Sequence, residues 1–317
     1  MATSAGVTPS GGGADDAGEA GDAGGAGDAG GAVTGIDTHA HVFARGLTLA
    51  ETRRYAPDYD APVEGYLRRL DESGLSHGVL VQPSFLGTDN GHMLDALRRH
   101  PDRLRGIAVV APGVAEADLT DLAAAGVVGI RLNLIGCALP DLRSAPWRAL
   151  VRRVAALGWQ VEVHREARDL PGLIAPLMDA GARVVIDHFG RPDPGLGVDD
   201  PGFRALLSAA ESGRVWVKLS GAYRLGDAGR GEAVARDAVP LLRDAFGPHR
   251  LLWGSDWPHT RFEAAATLRD ARARLDAWLP DPAEHAAVLV ATPSELFRIS
   301  PGCDPARRAP LSPAVAV

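Results

Sequence analysis

Histidines, carboxylates and arginines recur in this sequence at the ends of short apolar runs. The first case is GIDTHAHVF, residues 35–43, where His39 and His41 stand one residue apart. In an extended strand that spacing turns both rings to one face. A single such ring reads most simply as a buried structural histidine. Two neutral imidazoles side by side suit a zinc-like divalent ion, with a carboxylate completing its ligands. They equally suit paired hydrogen bonds to a substrate, and spacing alone leaves both open. Asp256, in WGSDWPH, has the chemistry of a general base or a metal ligand, or it caps the next turn. His164 closes WQVEVH, and Asp187 and His188 close RVVIDH. Arg131 in GIRLN and Arg224 in SGAYR carry the planar fork that grips a carboxylate, unless they serve as ordinary ion-pair partners. Lys218 is the only lysine. In a chain this biased toward arginine its rarity carries little weight, and it is not read as a Schiff-base residue.

These residues need elements that bring them together. Eight short β-branched runs read as buried strands: 35–41, 77–83, 105–111, 127–133, 159–164, 183–188, 214–220 and 250–256. Amphipathic segments lie between them. VEGYLRRLDESG, residues 63–74, puts Tyr66, Leu67 and Leu70 on one face, with Gly74 placed to end the helix. Strand–helix alternation with a repeat near 30 residues implies an α/β fold, a single-domain (β/α)8 TIM barrel. A doubly wound open sheet is the competing arrangement. The count of eight and the lack of a G-x-G-x-x-G after the first strand favour the barrel. In a barrel the strand C-termini form the active face. Six strands end there in ionisable residues, which is hard to explain as structure alone, while strand three offers none.

Composition sets the outer limits. The net charge is −7, but Asp15, Asp16, Glu19, Asp22 and Asp28 of the first 34 residues supply most of it, and the rest is nearly neutral. No basic run suggests nucleic acid. No stretch is long and apolar enough to span a membrane. Two cysteines, Cys137 and Cys303, form no disulfide framework, which fits a reducing cytoplasm. Residues 1–33 are Gly/Ala/Asp low-complexity sequence, expected to be disordered and lacking the features of a secretory signal. The barrel is expected over 34–300, with a Pro-rich tail over 301–317.

Taken together, THAHVF, VQPSFLGTDN, GIRLN, IDHFGRPD, KLSGAYR and WGSDWPH, in this order over roughly residues 35–299, resemble the amidohydrolase superfamily. More narrowly they resemble its lactonase branch, with the 2-pyrone-4,6-dicarboxylate, sugar-acid and muconolactone lactonases. The H-x-H pair alone is weakly specific; the combination with WGSDWPH and VQPSFLGTDN is strongly so. The resemblance implies hydrolysis of a small carboxylated lactone. Asp256 would activate water, with His39, His41 and His188 at the reacting carbonyl. Ser84, Thr88, Asn90, Arg131, Tyr223, Arg224 and His259 would bind substrate. A divalent ion, if bound, would take ligands from His39, His41, His164, His188 and Asp256. Two departures stand out. No second arginine follows Arg131 before Arg143, and strand five ends in His164. The first implies fewer or differently placed substrate carboxylates. The second keeps the metal question open and supports a rival, a metal-dependent decarboxylase of an aromatic or muconate-type acid. A non-catalytic sugar-acid-binding barrel is a further rival, against which Asp256 argues. Homo-oligomers are common among such barrels.

Overall fold

The structure is a computed structural model that describes residues 32–227 and 229–300. Both expected tails, apart from Ala32 and Val33, lie outside the described residues. All eight expected strands form: β1 Ile36–Ala40, β2 His77–Val81, β3 Leu104–Ala108, β4 Val127–Asn133, β5 Gln160–His164, β6 Arg183–Ile186, β7 Val215–Ser220 and β8 Leu251–Gly254. They pair in chain order, each parallel to the next. The ring closes just beyond β8. His41 N donates to the Trp257 carbonyl at 2.8 Å and Asp256 N to the His39 carbonyl at 2.7 Å. Thr38 Oγ1 adds a bond to the Trp253 carbonyl at 2.7 Å. No described helix is long and apolar enough to cross a membrane.

Helices α1 Val63–Glu72, α2 Gly91–Arg99, α3 Glu116–Ala124, α4 Ala145–Ala156, α5 Leu170–Asp179, α6 Pro201–Ser208 and α7 Arg230–Phe246 fill the crossovers. Each buries its apolar stripe on the outside of the sheet, as Tyr66, Leu67 and Leu70 of α1 do. Gly74, with φ of +69°, turns the chain out of α1 as expected. An eighth helix, α8 Leu268–Trp278, follows β8. Its start is capped by Thr267, whose hydroxyl accepts from Asp270 N.

Inside the barrel the two ends differ. Ile36, Val79, Val81, Ile107, Val128, Val185 and Leu252 form one apolar cluster with Leu296, Phe297 and Ile299 from the end of the described chain. That closing segment lies at the strand-start face. Arg298 Nη2 donates to the Leu157 carbonyl at 2.6 Å, just before β5. The opposite face carries the polar groups.

Candidate active site

The strands stop short of the residues that matter most. His188 lies two residues past β6 and Asp256 two past β8, and both have left-handed backbones, with φ of +50° and +62°. Such conformations are uncommon for residues with a Cβ and persist only where the surroundings enforce them. Here the turns swing both side chains over the barrel mouth. Two glycines make room. A Cβ on Gly254 would lie 2.5 Å from His39 Cβ, so β1 packs against β8 only because that position is bare. A Cβ on Gly221, whose φ is +58°, would lie 3.0 Å from both Asp256 Oδ2 and His188 Nδ1.

Four imidazoles cluster there. The His39 ring centre lies 5.0 Å from that of His41 and 4.8 Å from that of His188, and His188 lies 4.8 Å from His164. His41 Nδ1 donates to the Val81 carbonyl at 2.7 Å, because a carbonyl can only accept. Its Nε2 therefore presents a lone pair, 3.5 Å from Asp256 Oδ1. Two acceptors facing each other call for a donor or a cation between them. Burial lowers the pKa of all four rings; His188 falls to about 3, although Asp256 and Asp187 oppose the shift.

Asp256 is fully buried and its two oxygens differ. Oδ2 accepts from the Tyr223 hydroxyl at 2.7 Å and from Arg224 Nε. Oδ1 has no hydrogen-bond donor among the described residues. Burial acts to raise this carboxyl, but Arg224, His188 and His41 outweigh it and hold it well below the usual carboxylate range. Having donated its only proton to Asp256, the Tyr223 hydroxyl accepts from His259 Nδ1, 3.0 Å away. His259, pushed down to about 4 mainly by burial, is left with an unpartnered buried Nε2.

Beneath the rings lies a charged layer. Arg131 grips Asp187 Oδ2 with Nε at 3.0 Å and Nη2 at 2.8 Å. Lys218 Nζ bonds Glu162 Oε1 at 2.7 Å. Burial pushes Glu162 up to about 7 against the pull of Lys218. A cavity of about 490 Å³ meets this site at Arg224. Arg191, Arg224, Arg168 and Glu166 are among the residues that line it.

The comparisons with known proteins fit this picture. The amidohydrolase family model (Amidohydrolase) matches residues 36–299, nearly the whole described barrel. The chain belongs to the amidohydrolase family. It is 33% identical to a 4-sulfomuconolactone hydrolase of Hydrogenophaga intermedia, over 82% of this chain and 88% of that protein. It is 37% identical to a 2-pyrone-4,6-dicarboxylate hydrolase of Comamonas testosteroni, over 71% and 76%. A crystal structure of a probable 2-pyrone-4,6-dicarboxylic acid hydrolase from Acinetobacter baumannii, with citric acid bound, superposes with a TM-score of 0.81. It is 44% identical and covers 84% of this chain and 99% of its own. These relatives are lactone hydrolases by name, so the expected branch of the family agrees with them.

Within this amidohydrolase, the structure brings His39, His41, His164, His188, Asp256, Tyr223, Arg224 and His259 together at one end of the barrel. Two sets of ligand atoms come close enough to share an ion: His39, His41 and Asp256, and His39, Asp187 and His188. The facing acceptors His41 Nε2 and Asp256 Oδ1 fit a cation. Other expected site residues sit differently. Arg131 is buried in its two-point pair with Asp187, so two of its three nitrogens are committed inside the protein. Asn90 Nδ2 donates to the carbonyls of Thr88 and Val109, at 3.0 and 2.9 Å, and its Oδ1 accepts from Val109 N at 3.0 Å. Its amide thereby ties the loops after β2 and β3. Thr88 and Asn90 line a separate groove with Leu94, Val110 and Asp118. Ser84 keeps a buried hydroxyl without a partner.

Sequence reasoning missed Arg191. It ends a run of four positive-φ residues that begins at His188, and that coil returns its guanidinium to the cavity wall. Its presence in IDHFGRPD was the available signal. The charged layer was also missed. Glu162, Asp187 and Lys218 were visible at strand ends, but their pairing was not.

Proposed function

We propose that this amidohydrolase opens the ring of a small carboxylated lactone by attack of water, with Asp256 as the base. Arg224 carries the reading, because it both bonds Asp256 Oδ2 and lines the cavity with Arg191. Two guanidiniums on one wall suit a substrate bearing carboxylate or a similar anion. The citric acid held by the Acinetobacter relative is a compatible ligand class for that protein.

The mechanism follows from the two oxygens of Asp256. Oδ1, free of donors and facing His41 Nε2, accepts the proton of a water molecule. The water oxygen attacks the lactone carbonyl, whose developing negative charge lies among the imidazoles of the cluster. The ring C–O bond then breaks and the leaving oxygen takes up the proton that Asp256 accepted from water, giving a hydroxy acid or its tautomer and restoring the carboxylate of Asp256. A base held far below the usual carboxylate range is weak. Arg224 offers the remedy. A substrate anion bound to its guanidinium competes with Asp256 for the same positive charge, which raises the basicity of Asp256 as substrate arrives. A divalent ion such as zinc, when bound, would be held by His41 and Asp256, whose facing Nε2 and Oδ1 offer lone pairs, and would supply Lewis-acid polarisation of the carbonyl.

The test is a panel of lactones with and without carboxylates, read with a pH indicator and by CO2 trapping. Base consumption on carboxylated lactones, without CO2, is the expected result. CO2 release from an aromatic or muconate acid with no lactone turnover would replace this reading with decarboxylation.

A further inference from the structure

Lys218 is wholly buried, and its hydrogen bonds can be counted. An ammonium has three N–H donors and no acceptor. Nζ lies 2.7 Å from Glu162 Oε1, 2.9 Å from the Thr38 carbonyl and 3.2 Å from His39 Nδ1. Asp187 Oδ1 is the next acceptor, at 3.7 Å, outside hydrogen-bond range. Three donors thus meet three acceptors, and one of these is an imidazole nitrogen that must offer its lone pair.

The other side of the ring competes for the same imidazole lone pair, but at longer range than Lys218. Arg131 Nη2 sits 3.5 Å from His39 Nε2, and a bond there would need Nε2 to accept. Nη2 has only two hydrogens. They are directed to Asp187 Oδ2 at 2.8 Å and to His164 Nδ1 at 3.2 Å, both closer. The alternative tautomer would have His39 Nδ1 donate to Asp187 Oδ1, 3.4 Å away. That contact is longer than the Lys218 bond and falls short of hydrogen-bond geometry, although the Asp187 charge still acts on the ring.

We infer that Lys218 is a positioning residue that fixes His39 as the Nε2–H tautomer. The consequence concerns metal. A protonated nitrogen cannot ligate an ion, so Lys218 withholds His39 from the His39, His41 and Asp256 group and turns the ring into a hydrogen-bond donor at the barrel mouth. His41 is set the opposite way by the Val81 carbonyl, with its Nε2 bare. Neighbouring rings of one H-x-H pair thus present opposite polarity to the site.

The inference sharpens the site behind the lactonase reading but is tested without substrate, so the two can fail separately. The first measurement is the long-range 1H–15N spectrum of the histidine rings in metal-free protein, with His39 assigned by its loss in His39→Asn. Protonation at Nε2 is expected; protonation at Nδ1 overturns the proposal. The second is zinc titration by calorimetry on metal-free wild type and on the paired variant Lys218→Met with Glu162→Gln, which removes the lysine without stranding a buried carboxylate. The variant should bind zinc at least tenfold more tightly, with His39 shifted toward Nδ1–H. Equal zinc affinity in a folded variant overturns the proposal. If the variant does not fold, the wild-type spectrum decides.

Discussion

The two ends of the barrel interior are built from the same eight strands and obey different rules. At the strand-start end, aliphatic side chains meet Leu296, Phe297 and Ile299. Non-directional burial stabilises this aliphatic cluster, although a few polar groups sit at the strand starts too, such as buried Gln160 at the start of β5. At the other end almost every contact is directional, and polar atoms are left buried without partners: Asp256 Oδ1, His164 Nε2 and His259 Nε2. A fold gains nothing from such orphans, since each costs about 1–3 kcal/mol relative to a satisfied group. The layers touch where Lys218 Nζ lies 5.9 Å from the centre of the Phe297 ring. One end is selected for stability and the other for chemistry, and substitutions should separate them.

The sharpest separation is expected from Asp256→Asn. Losing the base should lower kcat on the order of 10³-fold, within the usual range for general-base removal. Binding of a non-hydrolysed dicarboxylate should persist and tighten, because Arg224 no longer shares its charge with a carboxylate. A variant that keeps near-normal turnover would remove Asp256 from the base role. Phe297→Ala is the converse. Truncating a fully buried aromatic typically costs about 3–5 kcal/mol, seen as a lower urea midpoint with an unchanged slope. Turnover per folded molecule should remain within a few-fold. If it drops as far as in Asp256→Asn, the two ends are not independent.

Acid should find the polar end first. His188 titrates at about 3 and His259 at about 4 in the folded protein, against about 6.5 in an unfolded chain. Below about 6.5 the unfolded state binds protons that the folded state refuses, so stability falls as pH drops. It is fully present above 6.5 and is lost progressively toward 3. Glu162, raised to about 7, acts the other way by taking up its proton in the folded state, so the cleaner reading is a difference: between pH 7 and 4 the Tm of His259→Phe should fall less than that of wild type. A pH dependence of Tm identical in His259→Phe and wild type would contradict the neutral description of His259.

How far the sequence showed this division can be followed residue by residue. Strand alternation and polar strand ends were readable because period and position are local properties. The convergence of His39, His41, His188 and Asp256 followed once eight strands implied a barrel. Hydrogen-bond partners were not readable, because they depend on turns that no period describes. Asp37 belongs to the same strand end as His39, yet the β1–β2 register shifts between Asp37 and Ala40. Its carboxylate instead accepts from Ser255 N and Oγ at 2.8 and 2.5 Å, fastening β1 to the segment after β8. Helix α8 went unseen for a related reason. Only Leu268 and Leu275 of its eleven residues are buried, too few to mark a stripe. The closing segment with Phe297 looked like the end of a domain, and nothing local in the sequence marks it as a plug.

The smallest expected effect tests the border of the chemical end. Asn90 lies in VQPSFLGTDN, a stretch that resembles a substrate-contacting loop, yet its amide is spent on Thr88 and Val109. Asn90→Ala would leave Val109 N–H and two carbonyls without these partners. The region borders an open groove, so water replaces part of what is lost. A cost near the lower end of the range for orphaned groups, about 1 kcal/mol, is expected, with kcat and KM for any lactone substrate within twofold of wild type. Urea titration and initial rates on one preparation measure both. A tenfold rise in KM with unchanged stability would return Asn90 to the substrate site and move that border outward to the loop after β2.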